Sequence, residues 1–192
     1  MARKKTILKK DILKTAYAVV RKEGFKGITA RNIANEMECS TQPIYLEFKN
    51  MDELKEQLYE DAQTFLCEEV LPKKQTGQPI LDTCLNYIQF AKEERILFTA
   101  LYLEGELPPQ EAHEVSYRHF TKSFDKENVD GLMTKRDRDD LYDLVWPFVH
   151  GTASLIAQGH MCYDERNILK RIQGLIWNVL EADFNKPKTK II

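Results

Sequence analysis

The side chains best suited to recognising another molecule lie close together, in the short stretch ECSTQPIYLEFKN. Thr41 and Gln42 can each donate and accept hydrogen bonds, and the hydroxyl of Tyr45 and the ammonium group of Lys49 can donate to an anion. This combination suits a partner that displays donors and acceptors along one edge, with negative charge nearby. Recognition then depends on the element that presents these side chains.

Cap and turn residues predict that the stretch is a short helix. Ser40 can cap it, and Pro43 falls in its first turn, where the missing N–H breaks no intrahelical hydrogen bond. Ile44 and Phe48, four residues apart, then form an inner face. The polar side chains around them therefore point outward.

Two more helices are predicted before this one. Apolar residues recur at helical spacing over residues 9–23, and Gly24 supplies the stop. Thr29 can cap a second helix over residues 30–37. With so short a link before the third helix, the layout is a helix-turn-helix, a unit that places its second helix in the major groove of DNA.

Charge is distributed unevenly along the chain. Residues 1–50 hold 11 Lys or Arg against 5 Asp or Glu, whereas residues 51–192 hold 17 against 25. A basic segment joined to an acidic remainder indicates that the first part meets a polyanion.

In a DNA groove, Gln42 suits adenine, and Thr41 or Pro43 can meet a thymine methyl group. The residues predicted to contact DNA are Thr29, Arg31, Ser40, Thr41, Gln42, Pro43, Tyr45, Glu47 and Lys49.

A purely structural role is the alternative for several of these residues. Thr29 and Ser40 can act as caps alone, Tyr45 can belong to the core, and the basic side chains can simply keep the protein soluble. Glu47 is repelled by phosphate groups, yet its carboxylate can accept a hydrogen bond from the amino group of cytosine.

Residues 9–55 resemble the DNA-binding domain of the tetracycline-repressor (TetR) family of transcription regulators. The resemblance is carried by Gly24-Phe25, by Ile28-Thr29 with Ile33-Ala34, and by Ser40-x-x-x-Ile44-Tyr45-x-x-Phe48-Lys49-Asn50 followed by Glu53-Leu54. It implies a homodimer of nine-helix, all-α subunits, with a DNA-binding domain at residues 1–50 and a ligand-binding and dimerisation domain at residues 51–192. It also implies a sequence-specific repressor that a small molecule releases from its operator DNA.

The sequence departs from the family pattern at four positions. Glycine is frequent at the position of Glu38, valine at Cys39, His or Tyr at Glu47, and a phosphate-binding lysine at Met51. The operator sequence therefore cannot be inferred from the resemblance.

Beyond residue 50 the pattern again predicts only helices, the first of them capped by Asp52, so the whole chain is predicted to be all-α. Residues 90–102 and 117–124 are rich in aromatic side chains that can line a cavity, although an ordinary helix-bundle core explains them equally. His150 can orient a ligand there or be a buried histidine with a local hydrogen bond. The candidate ligand pocket comprises Phe65, Tyr87, Phe90, Phe98, Tyr102, Tyr117, Phe120, Trp146 and His150.

The last two predicted helices have more apolar surface than one subunit can cover. Pairing each helix with its copy across a two-fold axis gives a four-helix interface, and the same symmetry places two recognition helices about one DNA turn apart. The residues predicted at this interface are Leu141, Leu144, Val145, Phe148, Thr152, Leu155, Ile168, Ile172, Leu175, Ile176 and Val179.

Several other classes of protein are disfavoured. The sequence has no Gly-rich phosphate loop, no G-x-S-x-G and no H-E-x-x-H, so we expect no enzyme and no cofactor. His160-x-Cys162 is too short a cluster to define a metal site. Residues 144–163 carry no formal charge, but eight of the twenty are not apolar, which predicts a buried helix and no membrane partner. The four cysteines show no C-x-x-C pairing, which fits the reducing cytoplasm.

Two alternatives remain beside the ligand-responsive repressor. The chain can be an architectural DNA binder without a ligand, or an adaptor that responds to a protein. A cavity of roughly 300 Å³ or more in the second domain favours the ligand sensor, whereas a filled core favours the alternatives.

Overall fold

The computed structural model describes residues 7–104 and 109–184 of the chain, with the side chains of residues 7–104 and 114–181. Over these ranges the chain is built from nine α-helices without a strand, which confirms the all-α prediction. The helices are α1 (Lys9–Glu23), α2 (Ala30–Glu36), α3 (Gln42–Glu47), α4 (Met51–Phe65), α5 (Pro79–Glu93), α6 (Arg95–Tyr102), α7 (Pro109–Glu127), α8 (Lys135–Ala157) and α9 (Glu165–Phe184).

The first three helices, which we call the head, pack around a small apolar core. Helix α1 contributes Ile12 and Ala16, α2 contributes Ile33, and α3 contributes Ile44, all of them buried. Phe48, just beyond the end of α3, is buried against the same group. The helical spacing that predicted an inner face on each helix is therefore the spacing that builds this core.

Caps fix where the helices begin. The hydroxyl oxygen of Thr29 accepts a hydrogen bond from the N–H of Asn32 at 3.1 Å, which confirms its predicted cap at the start of α2. Helix α4 is capped by Asn50, whose side-chain oxygen accepts from Glu53, and not by Asp52 as predicted. The residue before α3 is Thr41, without a side-chain cap bond, so the predicted cap at Ser40 is wrong as well.

The remaining helices, which we call the body, surround α5. Almost every residue of α5 from Ile80 to Ala91 is buried, as expected for a central helix that is covered on all sides. Helices α7, α8 and α9 pack against it. Helix α4 leads from the head into the body and ends in one π-helical turn, Leu66–Val70.

The head also touches the body through α1. The guanidinium group of Arg21 forms an ion pair with Glu94, with its Nε 2.8 Å from the carboxylate, and Lys26 lies 3.9 Å from Glu104. Beside these pairs an open cleft of about 640 Å³ separates the end of α1 from α6. Helix α1 also packs directly against α6, so the orientation of the head depends on α4, on this packing and on the polar contacts at the cleft.

Candidate functional site

Helix α3 has one face in the core and one face in solvent. Ile44 and Phe48 are only 1% and 2% exposed, whereas Tyr45 is 57% exposed and Gln42 is exposed as well. The alternative prediction that Tyr45 belongs to the core is therefore wrong. The helix therefore presents an amide and a phenol to solvent.

The other predicted contact residues lie around this face. Ser40 and Lys49 are exposed, while Thr41, Pro43 and Glu47 are half-buried. Thr29 and Arg31 are exposed at the beginning of the neighbouring helix α2. The structure therefore brings all nine residues to the two helices of the predicted helix-turn-helix, and their contact with DNA stays a prediction.

The end of α3 is held against both neighbouring helices. The ammonium group of Lys9 in α1 lies 4.8 Å from the centre of the Phe48 ring, and it also approaches the carboxylate of Glu53 at 3.8 Å. The same carboxylate accepts a hydrogen bond from the backbone N–H of Lys49 at 2.8 Å. These contacts fix the direction in which Gln42 and Tyr45 point.

The turn between α2 and α3 explains one departure from the family pattern. Glu38 has a backbone φ of 51°, in the left-handed region that glycine adopts without steric penalty. The backbone N–H groups of Glu38 and Cys39 donate to the carbonyl groups of Asn35 and Ala34, respectively, and these two hydrogen bonds close the turn. The left-handed backbone conformation therefore explains why glycine is frequent at this position. In this chain Glu38 adopts the same conformation at a steric cost.

One exposed residue on α3 was missed by the sequence reasoning. Leu46 is 76% exposed, yet an apolar residue between Ile44 and Phe48 gives no sequence signal that separates it from the core. The available clue was its position two residues after Ile44, which turns it about 200° around the helix and so away from the inner face.

The body contains a second candidate site, a cluster of aromatic residues around Tyr87. The Tyr87 ring centre lies 4.8 Å from that of Trp146 and 5.5 Å from those of Phe98 and Tyr102. The Tyr87 hydroxyl is 3.0 Å from Nδ1 of His150, so one of the two groups donates to the other. Five of the nine predicted pocket residues are therefore in one cluster, and a sixth, Phe90, packs on Phe98 with ring centres 6.3 Å apart.

Two more polar side chains connect this cluster to α4. The hydroxyl of Tyr102 donates to Oε1 of Gln63 at 3.1 Å, and the amide nitrogen of Gln63 donates to the hydroxyl of Tyr59 at 2.5 Å. Gln63 is buried, so its amide needs these partners. A change in the cluster can therefore reach the helix that carries the head.

Burial controls the ionisation of the cluster. It raises the pKa of Tyr87 and of Tyr102 well above the usual value, and it lowers the pKa of His150. Nearby His119 has a pKa of about 4, mainly through burial and then through the positive charges of Lys122 and Arg118. All these groups are uncharged at neutral pH, which suits an uncharged or apolar molecule better than an ion.

The cluster is nearly filled by its own side chains. Its cavity has a volume of about 10 Å³, between Tyr87, Tyr102, Trp146 and His119, which is room for one water molecule at most. Phe65 is exposed at an open surface cleft of about 480 Å³, whose wall Phe90 also forms. Tyr117 and Phe120 pack on Tyr142, on the far side of Trp146.

The eleven residues predicted at a dimer interface divide into two groups. Leu141, Val145, Thr152, Ile168 and Ile172 are buried within the protomer, so they face its own core and the prediction is corrected for these five. The others are exposed or half-buried: Leu144, Phe148, Leu155, Leu175, Ile176 and Val179. Trp177, which was not predicted, is 62% exposed on the same helix α9.

Among the helices in the parts of the chain that the structure describes, none combines the length and hydrophobicity of a membrane span. Across the same ranges, no three His, Cys, Asp or Glu side chains come together as metal ligands would, and His160 and Cys162 are exposed.

Comparison with known proteins gives matches in structure alone. No family model matches the sequence, and a search of curated proteins gives no significant match. A TetR-family protein from Vibrio parahaemolyticus is similar in structure with a TM-score of 0.63 at 18% identity, over 88% of this chain and 95% of that one. A TetR-like transcriptional regulator from Rhodococcus sp. RHA1 gives 0.57 at 18% identity, over 88% and 93% of the two chains.

A third solved structure is that of the TetR-family protein ActR from Streptomyces coelicolor, determined in complex with (S)-DNPA. It gives a TM-score of 0.54 at 16% identity, over 92% of this chain and 98% of ActR. The similarity covers the head and the body together in all three cases. The resemblance seen in the first 55 residues thus extends to the whole architecture, and the chain has the fold of the TetR-family regulators.

Proposed function

We propose that the chain is a sequence-specific, DNA-binding transcription regulator without catalytic activity, in which residues 1–50 bind DNA and residues 51–192 dimerise and sense a signal. The observation that carries this proposal is the division of α3, which buries Ile44 and Phe48 and leaves Gln42 and Tyr45 in solvent. An amide on an exposed helix face can bond to adenine in the major groove.

Dimerisation is the second part of the proposal. Leu144, Phe148 and Leu155 share one face of α8, and Trp177 is exposed on α9. Large apolar side chains on neighbouring helices are typical of a surface that another protein covers. Two copies related by a two-fold axis bury these residues and present two α3 helices to one duplex.

A small-molecule effector is the third part of the proposal. We propose that the protein is a repressor and that binding of the effector releases it from DNA. The aromatic cluster offers ring surfaces together with the polar groups of Tyr87, Tyr102 and His150, a combination that fits a largely apolar ligand. The TetR-family protein ActR, which has this fold, was solved in complex with (S)-DNPA, and this supports a ligand site in the proposal. Gln63 provides the connection to α4.

The small cavity favours a second candidate function. With about 10 Å³ of free volume between its described side chains, the aromatic cluster around Tyr87 has no room for a ligand unless the helices move. A regulator of the same fold that binds DNA without a ligand, or that responds to a protein, requires no such movement.

DNA binding can be tested by selecting binding sites from a random duplex pool. We expect one enriched palindromic site. Affinity for it should decline steeply between about 50 and 200 mM salt, because a protein that neutralises phosphates releases counterions on binding. Gln42→Ala should weaken binding to that site at least fivefold, since a base contact contributes on the order of 1–3 kcal/mol. Gln78→Ala, an exposed glutamine of the body, is the matched control. Absence of an enriched site would refute the proposal.

Dimerisation has its own test. Light scattering should give twice the 22.4 kDa chain mass at micromolar concentration. Trp177→Glu should give monomers, while Val129→Glu, at an exposed position between α7 and α8, should not. A wild-type monomer would contradict the dimer.

Ligand sensing is tested by adding candidate aromatic compounds to the preformed protein–DNA complex. A compound that releases the operator must also bind more weakly to the complex than to free protein, by the same factor. If His150→Ala leaves both effects unchanged, the aromatic cluster is not the sensor site. Failure of every compound, with operator binding intact, would favour the ligand-independent candidate.

A further inference from the structure

The outward face of α3 carries an aliphatic side chain beside its polar ones. Leu46 is 76% exposed, the largest exposure of any bulky apolar side chain among residues 7–50. We propose that Leu46 determines DNA specificity by contacting the C5-methyl group of a thymine in the operator. The inference rests on the proposed function, and it deepens it by naming the base feature that is recognised.

The chemistry of the side chain selects this contact. Leu46 has no donor or acceptor, so it cannot bond to a phosphate or to the polar atoms of a base edge. The thymine methyl group is the apolar feature that the major groove displays, and aliphatic side chains read it by direct contact. An aliphatic residue left in water gains most by covering such a group.

The position on the helix supports the same contact. Leu46 follows Gln42 by four residues, so the two side chains lie on one face, about 6 Å apart along the helix axis. Neighbouring base pairs are separated by about 3.4 Å, so the two side chains can reach base pairs within about two steps of each other. If Gln42 reads adenine, Leu46 meets a thymine close to it, and the preferred half-site is rich in A·T pairs.

The surroundings of Leu46 exclude a role in the core of the head. The inner face of α3 is already formed by Ile44, with Phe48 behind it, and both are buried. Tyr45, the other neighbour of Leu46, is itself exposed. Leu46 therefore belongs to the surface that faces a partner.

The experiment replaces thymine by uracil, which removes the C5-methyl group and keeps all hydrogen-bonding groups of the base. The site found by selection is synthesised with each thymine replaced in turn, in both half-sites at once. Binding of the full-length protein is measured by fluorescence anisotropy for wild type, Leu46→Ala and Leu46→Met. Leu132→Ala, at an exposed position in the body, is the matched control.

The expected result is specific to one position. Loss of one buried methyl group corresponds to about fourfold in affinity, so replacement in both half-sites should weaken wild-type binding roughly fifteenfold at one thymine position. Leu46→Ala should bind thymine and uracil versions of the site within about twofold of each other. Leu46→Met, which keeps an apolar contact, should retain most of the wild-type ratio, and Leu132→Ala should retain all of it.

Two outcomes would overturn the inference while DNA binding stands. Either no uracil replacement changes wild-type affinity by more than about twofold, or Leu46→Ala keeps the same thymine-to-uracil ratio as wild type. Failure to select any site would refute the proposed function itself and this inference with it. Equal melting temperatures of the variants would show that each is folded.

Discussion

Replacing Tyr87 by phenylalanine removes one hydroxyl from the centre of the aromatic cluster and leaves the ring packing unchanged. Nδ1 of His150, 3.0 Å from that hydroxyl, then loses its partner. An unsatisfied buried polar atom costs about 1–3 kcal/mol, and His150 is only half-buried, so we expect a loss of about 1 kcal/mol in the free energy of unfolding.

Removing the other partner of this hydrogen bond should lower the free energy of unfolding further. His150→Leu leaves the Tyr87 hydroxyl without a partner, and Tyr87 is only 2% exposed, so water cannot replace the imidazole. We expect a loss of about 2 kcal/mol. The double variant should lose about 1 kcal/mol less than the sum of the two, because each single change already breaks the shared hydrogen bond.

Thermal unfolding followed by circular dichroism measures all four proteins. For a chain of this length, 1 kcal/mol corresponds to about 2–4 °C in Tm. Protein concentration must be the same in every experiment, since a dimer gains stability with concentration. Additive effects of the two substitutions, or no effect of Tyr87→Phe, would refute the reasoning that this bond stabilises the core.

Three further predictions concern the turn, the cleft and the body. Glu38→Gly should raise stability by about 0.5–1 kcal/mol in thermal unfolding, because it removes the left-handed strain at φ 51°. Glu94→Gln should cost less than about 1 kcal/mol, and the loss should shrink in 0.5 M NaCl, because the pair with Arg21 is partly exposed; a salt-independent loss would contradict this. His119 has a folded pKa of about 4, below its unfolded value near 6.5, so its contribution to stability is lost as pH falls between these values. In acid unfolding, His119→Gln should reduce the loss of stability over this pH range by about 1 kcal/mol, a small value because His119 is partly exposed.

The helix boundaries follow closely from local sequence, and the individual caps do not. Gly24, with a φ of 71°, ends α1 where the apolar spacing stops. The starts of α3 and α4, by contrast, differ from the predicted caps. Helix α3 begins after Thr41 without a side-chain cap bond, and at α4 the extended backbone of Asn50 makes it, and not Asp52, the cap. Periodicity carries no information at that scale.

The two faces of α8 and α9 show a different limit. A helix that packs on its own core and also meets a partner has apolar residues on most sides. Leu141 and Leu144 are therefore alike in sequence, although the first is buried in the protomer and the second is exposed. The same ambiguity hid Leu46. Exposure of an apolar side chain depends on which neighbours the chain brings to it, and no local pattern records that.

The aromatic cluster shows why a pocket is harder to predict than a core. Tyr87 and Trp146 would have the same helical spacing whether they enclosed a ligand or filled the space themselves. The difference is a displacement of a few Ångström between packed helices, which depends on tertiary packing. The sequence could predict that these residues meet, as they do, without predicting the volume between them.

The small volume inside the body has a kinetic consequence. An effector of drug-like size that binds at the aromatic cluster, as proposed above, must enter while the rings around Tyr87 are briefly apart, so this opening becomes the slow step. In stopped-flow mixing, the observed rate should then level off as effector concentration rises, at the frequency with which the helices separate. Substitutions that loosen the rings should raise that plateau, and the cell would register the signal no faster than the core opens.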